Sequence, residues 1–319
     1  MIDIIQKIYS KNMQPFVHLH VHSQYSLLDG QASIKRLIDK AHGDGMKAIA
    51  LTDHGAMYGI KEFLNYASKK NAPVNAEIKK IKAEIAVLEK NSGENASEAN
   101  GNEASKEKIN KLLEKLTDTK TKLFKPIVGC ECYLARRDRF QMNDKVDGSG
   151  WHLVVLAKNL TGYKNLIKIV SKSWTEGFYY RPRIDKDLLE QYSEGLIVSS
   201  ACLGGEISRK IDSGQINEAE EAVQWYKKVF GDDYYIEIQR HKTDRPDADQ
   251  TTYPMQERVN KELIKIANKY DVKVIATNDV HFVNEEDADA HDRLICLSTG
   301  KDFDDPNRMR YSKQEWLKT

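Results

Sequence analysis

Seven short apolar runs set the rhythm of the chain: FVHLHVH (16–22), AIALTDH (48–54), PIVGCECYLA (126–135), WHLVVLAK (151–158), GLIVSSA (195–201), YYIEIQRH (234–241) and VKVIATNDVHF (272–282). Their lengths and their β-branched and aromatic content predict strands. Helical patterns fall between them. SIKRLIDKAHGDG, with Ser33 placed as its N-cap, and NKELIKIANKYD repeat apolar residues every three or four positions. About seven strand–helix repeats predict an α/β fold with a parallel sheet closed into a barrel, rather than an open doubly wound sheet.

One stretch breaks this rhythm. From about Asn75 to Lys125 the apolar positions Ile78, Ile81, Ile85 and Leu88 follow a 3,4,3 spacing, and Ile109, Leu112 and Leu116 resume it after a Gly/Asn/Ser/Glu-rich tract. This predicts a helical hairpin, or coiled-coil arm, over 75–125, inserted between a barrel helix and the next strand. Its tip, at about 91–105, is expected to be flexible. Surface insertions cost little loop-closure entropy, so the arm is read as lacking chemistry rather than as a partner-docking device.

Composition narrows the setting. The 319 residues suffice for one large barrel. With 49 Lys and Arg against 48 Asp and Glu, bulk charge does not grip nucleic acid, although a local basic groove stays open. Four cysteines without a secretory segment, and no apolar run long enough for a membrane, predict a reduced, cytoplasmic setting.

The strand ends carry the chemistry. His20, His22, Asp29, His54, Glu131, His152, Cys202, Asp279 and His281 all fall at or just beyond apolar runs. His20 with His22, and Asp279 with His281, are separated by one residue, and strand alternation delivers both members of such a pair to one face. Imidazole, carboxylate and thiolate together suit zinc, manganese or iron rather than calcium. Any one of these residues is an ordinary polar side chain by itself. Nine together are costly to bury unless something cationic pairs with them. Asp247 with Asp249, and Asp302 with Asp304, have the spacing of a two-metal site but lie in polar stretches, and are read as solvated turns. Cys130 and Cys132 flank Glu131 and face away from it, into the barrel wall.

FVHLHVHSQYSLLDG, ALTDHGAMYG, KPIVGCECYLA, GFYYRPRID, GLIVSSACLGGEI and ATNDVHFVNEEDADAHDRLICLSTGK resemble the polymerase-and-histidinol-phosphatase (PHP) family. The branch is the one forming the N-terminal domain of bacterial DNA polymerase III alpha subunits. FYYRPRID and DAHDRLICLSTGK set it apart from small-molecule phosphatases of the superfamily. The resemblance implies a distorted, TIM-like (β/α)7 barrel over 1–319, the PHP fold, with two to three divalent transition metals. One metal falls to His20, His22, Glu131 and Asp279. A second shares Glu131 and adds His152 and Cys202, and a third takes Asp29, His54 and His281. His18, two residues and so ~7 Å back along its strand, is assigned to packing or to a hydrogen bond behind the ligands.

The implied activity is metal-dependent phosphodiester hydrolysis, as a proofreading 3′→5′ exonuclease. Adjacent metals lower the pKa of a shared water and neutralise the phosphate, with Glu131 and Asp279 acting through them. Arg181 and Arg183 are candidate phosphate contacts. The implied partners are a DNA 3′ end, the remaining polymerase domains and other replisome subunits, with no membrane. Residues 300–319 are read as the start of a linker toward those domains, and the polymerase active site is expected outside this chain. Two alternatives stand beside this reading: a metal-stabilised structural module without activity, and a small-molecule phosphomonoesterase.

Overall fold

A computed structural model describes residues 16–94 and 99–319. Eight strands are hydrogen-bonded into one sheet: β1 (Ala48–Leu51), β2 (Lys125–Leu134), β3 (Trp151–Ala157), β4 (Phe178–Tyr179), β5 (Arg181–Ile184), β6 (Leu196–Ser199), β7 (Tyr234–Ile238) and β8 (Lys273–Ala276). The run β1–β2–β3–β6–β7–β8 curls until its two ends meet across residues 18–22. The Ala50 and Thr52 N–H groups donate to the His18 and Val21 carbonyls at 2.8 and 2.9 Å. On the other side the His22 N–H donates to the Val280 carbonyl at 2.7 Å, and the Val280 N–H to the His20 carbonyl at 3.1 Å. All seven apolar runs are thereby neighbours in a closed ring. The first does so through a single bridge, Val21 to Val280, rather than through a regular ladder.

The expectation of a wholly parallel barrel is corrected at β3, which runs antiparallel to both β2 and β6. The chain from Ala135 to Gly150 holds only the short helix Asp144–Asp147, so it turns back beside β2 instead of crossing over. This reversal fixes where a functional residue on β3 must sit. His152, at the start of β3, pairs with Tyr133, near the end of β2.

Outside the ring, the helices Leu160–Thr175, Ile216–Phe230 and Thr252–Lys269 bury apolar faces against the sheet, around Leu166, Ile169, Val223, Tyr226, Val259 and Leu263. Cys130 and Cys132 are buried in this core, as strand alternation requires when Glu131 points inward. Helix Ile34–Gly43 begins at Ser33, whose hydroxyl accepts from the Arg36 N–H, and covers a second core with Ile34, Leu37 and Ile38.

The inserted arm is present, but its first half is no separate element. Helix Ile60–Glu94 runs unbroken through Pro73, and Ala99–Thr121 returns beside it. An interior proline costs about 3 kcal/mol. Here the helix is anchored on both sides of it, by Phe63 and Ala67 in the barrel core and by Ile81 and Ile85 against Leu116 in the arm. The Asn71 side chain clamps the base, donating to the Phe124 carbonyl and accepting from its N–H at 2.8 and 2.9 Å. Of the tip expected at about 91–105, residues 95–98 lie outside the described residues.

Residues 300–319, expected to begin a linker, pack against the barrel. Leu317 is fully buried in the core that holds Val21 and Val280, and the His281 N–H donates to the Glu315 carbonyl. Met309, Arg310, Tyr311, Ser312 and Glu315 of this segment line one side of the barrel mouth. No helix among the described residues is long and apolar enough to cross a membrane.

Candidate metal centre

The barrel gathers all nine expected residues at one mouth. Four lie within or directly after β2, β3, β6 and β1: Glu131, His152, Cys202 and His54. His20 and His22 stand on the bridged first run, Asp29 in the turn behind it, and Asp279 and His281 beyond β8. Asp279 holds φ at +48°, a left-handed conformation uncommon outside glycine and the short polar residues.

Glu131 is the hub. Its Oε1 lies 3.1 Å from His20 Nε2 and 2.9 Å from His152 Nδ1, and its Oε2 lies 2.6 Å from His54 Nδ1 and 3.5 Å from His22 Nε2. Asp279 Oδ1 is 3.2 Å from both His20 Nε2 and His22 Nε2. Cys202 Sγ is 3.6 Å from His152 Nδ1. Asp29 Oδ2 is 3.0 Å from His54 Nε2 and 3.8 Å from His281 Nε2.

Three groups bring their donor atoms within 4.8 Å of one another: His20, His22 and Glu131; Glu131, His152 and Cys202; and His22, His54 and His281. The second triad has the membership expected from the sequence; the first lacks the expected Asp279, and the third holds His22 in place of the expected Asp29. Within the cluster His20 Nε2, His22 Nε2, His54 Nδ1, Glu131 Oε2, Asp279 Oδ1 and His281 Nε2 are buried without a hydrogen-bond partner. Leaving such atoms unpaired costs about 1–3 kcal/mol each. They crowd within ion-pair distance of one another, as His54 Nδ1 and Glu131 Oε2 do at 2.6 Å, with their donor atoms gathered in common groups, which is an arrangement a divalent cation satisfies. The residues present therefore fit metals, and the mixed N, O and S donors match the transition-metal class.

The remaining edges of the ligands are held from behind. His20 Nδ1 lies 2.7 Å from Glu237 Oε1, and that carboxylate also accepts from the hydroxyls of Ser199 and Thr277 and the amide of Gln239. His22 Nδ1 lies 2.9 Å from the Ser26 hydroxyl, which donates to Asp53. Tyr311 donates its hydroxyl to Asp29 Oδ1 at 2.9 Å. None of these supports was among the sequence candidates. Glu237 alone left a trace, as the one carboxylate inside the apolar run YYIEI. His18 lies apart, its Nε2 donating to the Lys318 carbonyl at 2.7 Å, and burial pushes its pKa down to about 4.

Electrostatics follow from this crowding. Burial disfavours protonation of His20, but Asp279, Glu237 and Glu131 outweigh it and hold its pKa well above the ordinary value. Burial likewise disfavours a charged Glu131, yet His152, His20 and His54 hold its carboxyl well below the carboxylate range. Burial, with His54 and His281 alongside, pushes His22 down to about 3. Without a cation the site is an imidazolium–carboxylate network, and a metal must displace protons to enter it.

The cluster floors a cleft of about 520 Å³, whose rim carries Tyr133, Arg181, Arg209, Arg310 and Tyr311. Arg181 stands over the Tyr133 ring at 5.4 Å. Arg183 does not reach the cleft, and its reading as a phosphate contact is corrected. It is fully buried, and its guanidinium donates to the carbonyls of Gly177, Asp147 and Arg139. Alternation alone would put Arg183 on the same face as Arg181; the two differ because Arg181 lies at the exposed start of β5, whereas Arg183 is covered by the segments carrying the Gly177, Asp147 and Arg139 carbonyls. Asp247 is an ion-pair partner of Lys313 and Arg245, and Asp249 caps the backbone of Thr251 and Thr252, as polar turns require.

The PHP domain model matches residues 18–241. The chain is 39% identical over 302 residues to the DNA polymerase III subunit alpha of Borreliella burgdorferi, covering 94% of this chain and 21% of that protein. It is 36% identical over 303 residues to the same subunit of Treponema pallidum, again covering 94% and 21%. The chain thus spans about a fifth of the length of these curated relatives. Among solved structures, an amidohydrolase from Chromobacterium violaceum aligns over 84% of this chain and 88% of its own at 12% identity and a TM-score of 0.40. The barrel, the nine gathered residues and the match over most of that barrel lead to one assignment: the chain belongs to the PHP domain family, and its curated relatives are DNA polymerase III alpha subunits.

Proposed function

We propose that this domain is a metal-dependent phosphodiester hydrolase acting as a 3′→5′ exonuclease on a DNA end, within a longer replicative polymerase. The observation that carries the reading is the set of buried, unpartnered donor atoms converging on three points beneath a cleft rimmed by arginines. Two to three zinc, manganese or iron ions held there would supply Lewis acidity toward the phosphate and activate water at neutral pH. The ligand sets proposed are those read from the sequence, with His22 as a further donor near His54 and His281 and with Asp279 3.2 Å from His20 and His22. Glu131 stands between the first two groups and holds them at a fixed separation. Arg181, Arg209 and Arg310 supply the charge that orients a phosphodiester. Glu237 and Ser26 fix the imidazole edges of His20 and His22.

The test is metal content of the purified chain, then degradation of a 3′-mismatched primer with and without Asp279→Asn. Loss of cleavage in the variant supports the reading. A metal-loaded chain that cleaves no DNA above the variant leaves a second reading, in which metals only stabilise the barrel. That reading draws on the complete burial of His20, His22 and Glu131, which tie the first run to β2. Turnover of a small phosphomonoester but not of DNA marks a phosphatase.

A further inference from the structure

An exposed row of aromatic side chains starts at the rim of the cleft, and the barrel has no use for it. Trp174 ends the helix Leu160–Thr175 and donates its indole N–H to the Gly55 carbonyl at 2.8 Å, one residue from His54. Phe178 stacks on Trp174, with centroids 5.4 Å apart and planes 20° from parallel, and Tyr58 flanks Trp174 at 6.1 Å. Tyr180 is the turn residue between β4 and β5, and Arg181 follows it into the cleft. Tyr58, Trp174, Phe178 and Tyr180 expose 55, 40, 49 and 66% of their surface. Tyr58, Trp174 and Phe178 lie side by side, and Tyr180 follows two residues after Phe178, its ring 4.8 Å from that of Tyr179; large aromatics left this open mark a binding surface.

Tyr180 adds an independent sign. Its φ is +57°, in the left-handed region where a glycine or asparagine relieves the strain. A bulky aromatic is held there at a conformational cost of about 1–2 kcal/mol, with its ring turned to solvent. Two acids flank the row: Glu176 is paired with Lys172 and Arg139, and Glu62, near Tyr58, accepts from the Tyr25 hydroxyl. The charge left open where the row meets the cleft is the Arg181 guanidinium.

We propose that Tyr58, Trp174, Phe178 and Tyr180 form a stacking track for the unpaired bases of single-stranded nucleic acid, leading its 3′ end past Arg181 into the metal cleft. The proposal rests on the hydrolase reading for the direction of the strand. Flat rings beside a guanidinium are the features that bind single strands without sequence preference, because every base offers a π-face. A duplex buries its bases and cannot use such a row.

The test is fluorescence anisotropy of a fluorescein-labelled single-stranded oligothymidylate, and of a blunt duplex of equal length, titrated with the 319-residue chain in a chelator that stops hydrolysis. The single strand is expected to bind more tightly than the duplex. Phe178→Ala and Tyr180→Ala are each expected to weaken single-strand binding by ~5-fold or more. Phe178→Tyr and Tyr180→Phe are expected to restore it. The two positions are 49 and 66% exposed, so circular dichroism is expected to show the fold unchanged. Parent-like binding by both alanine variants, or equal affinity for the blunt duplex, overturns the track and reassigns the row as a polypeptide-docking surface. Because the assay excludes catalysis, its failure leaves the hydrolase reading standing, and failed hydrolysis leaves the binding result standing.

Discussion

Glu237 Oε1 lies 2.7 Å from His20 Nδ1, deep inside the barrel and 217 residues away in sequence. The carboxylate already accepts from two hydroxyls and an amide, so His20 must donate its Nδ1 proton to it. The lone pair on Nε2 is thereby aimed at the point shared with Glu131 and Asp279. Glu237→Gln is expected to weaken metal binding at this point by ~10–100-fold while the chain stays folded. Competition against a chromogenic chelator reads this directly, and an unchanged affinity would show that the ring is oriented by packing alone.

Metal removal reports on the unpartnered atoms. A cation bound only by the folded chain stabilises it by about 2.7 kcal/mol per site at a hundred times its Kd. Chelation is therefore expected to lower the melting temperature, and re-addition of manganese or zinc to restore it. The ligands also carry protons in the cation-free chain, with His20 well above its ordinary pKa, so affinity is expected to fall as pH falls. Isothermal titration in two buffers of different ionisation enthalpy counts the protons released.

Arg181 and Arg183 stand two residues apart and are expected to fail differently. Arg183→Ala leaves three carbonyl oxygens without their donor, and is expected to cost about 3 kcal/mol or more of stability in urea unfolding. Arg181→Ala is expected to leave stability within about 0.5 kcal/mol and to weaken nucleic-acid binding. The reverse pattern would mean that the burial of Arg183 misrepresents its role.

His18 supplies an acid-sensitive element outside the ligand set. It is fully buried, and its pKa is pushed down to about 4 by that burial. Between pH 6.5 and about 4 the unfolded chain binds a proton here that the folded chain refuses, so stability falls as pH falls through that window. From pH 7 to pH 5 the loss attributable to His18 is ~2 kcal/mol. His18→Asn is expected to be less stable at pH 7 but to lose less on acidification, measured as the difference between the two urea midpoints with chelator present.

The sequence by itself determined what periodicity and local spacing can determine. Alternation within one run puts His20 beside His22 and turns Cys130 and Cys132 away from Glu131. Seven apolar runs predicted seven neighbours in a ring, and heptad-like spacing predicted the arm. Periodicity records which face of an element is buried and says nothing of what buries it.

The tertiary structure decided everything that depends on a neighbour. The direction of β3 follows from a connection without a crossover helix, and His152 at its start is the one residue that hinted at it. Arg181 and Arg183 share a motif, yet the twist and pairing of β5 give one to the cleft and bury the other. Tyr311 meets Asp29 across 282 residues, and residues expected to lead away from the barrel line its mouth instead. Such contacts arise when the barrel closes, because closure selects among many chemically suitable partners by position alone, and position is a property of the whole ring.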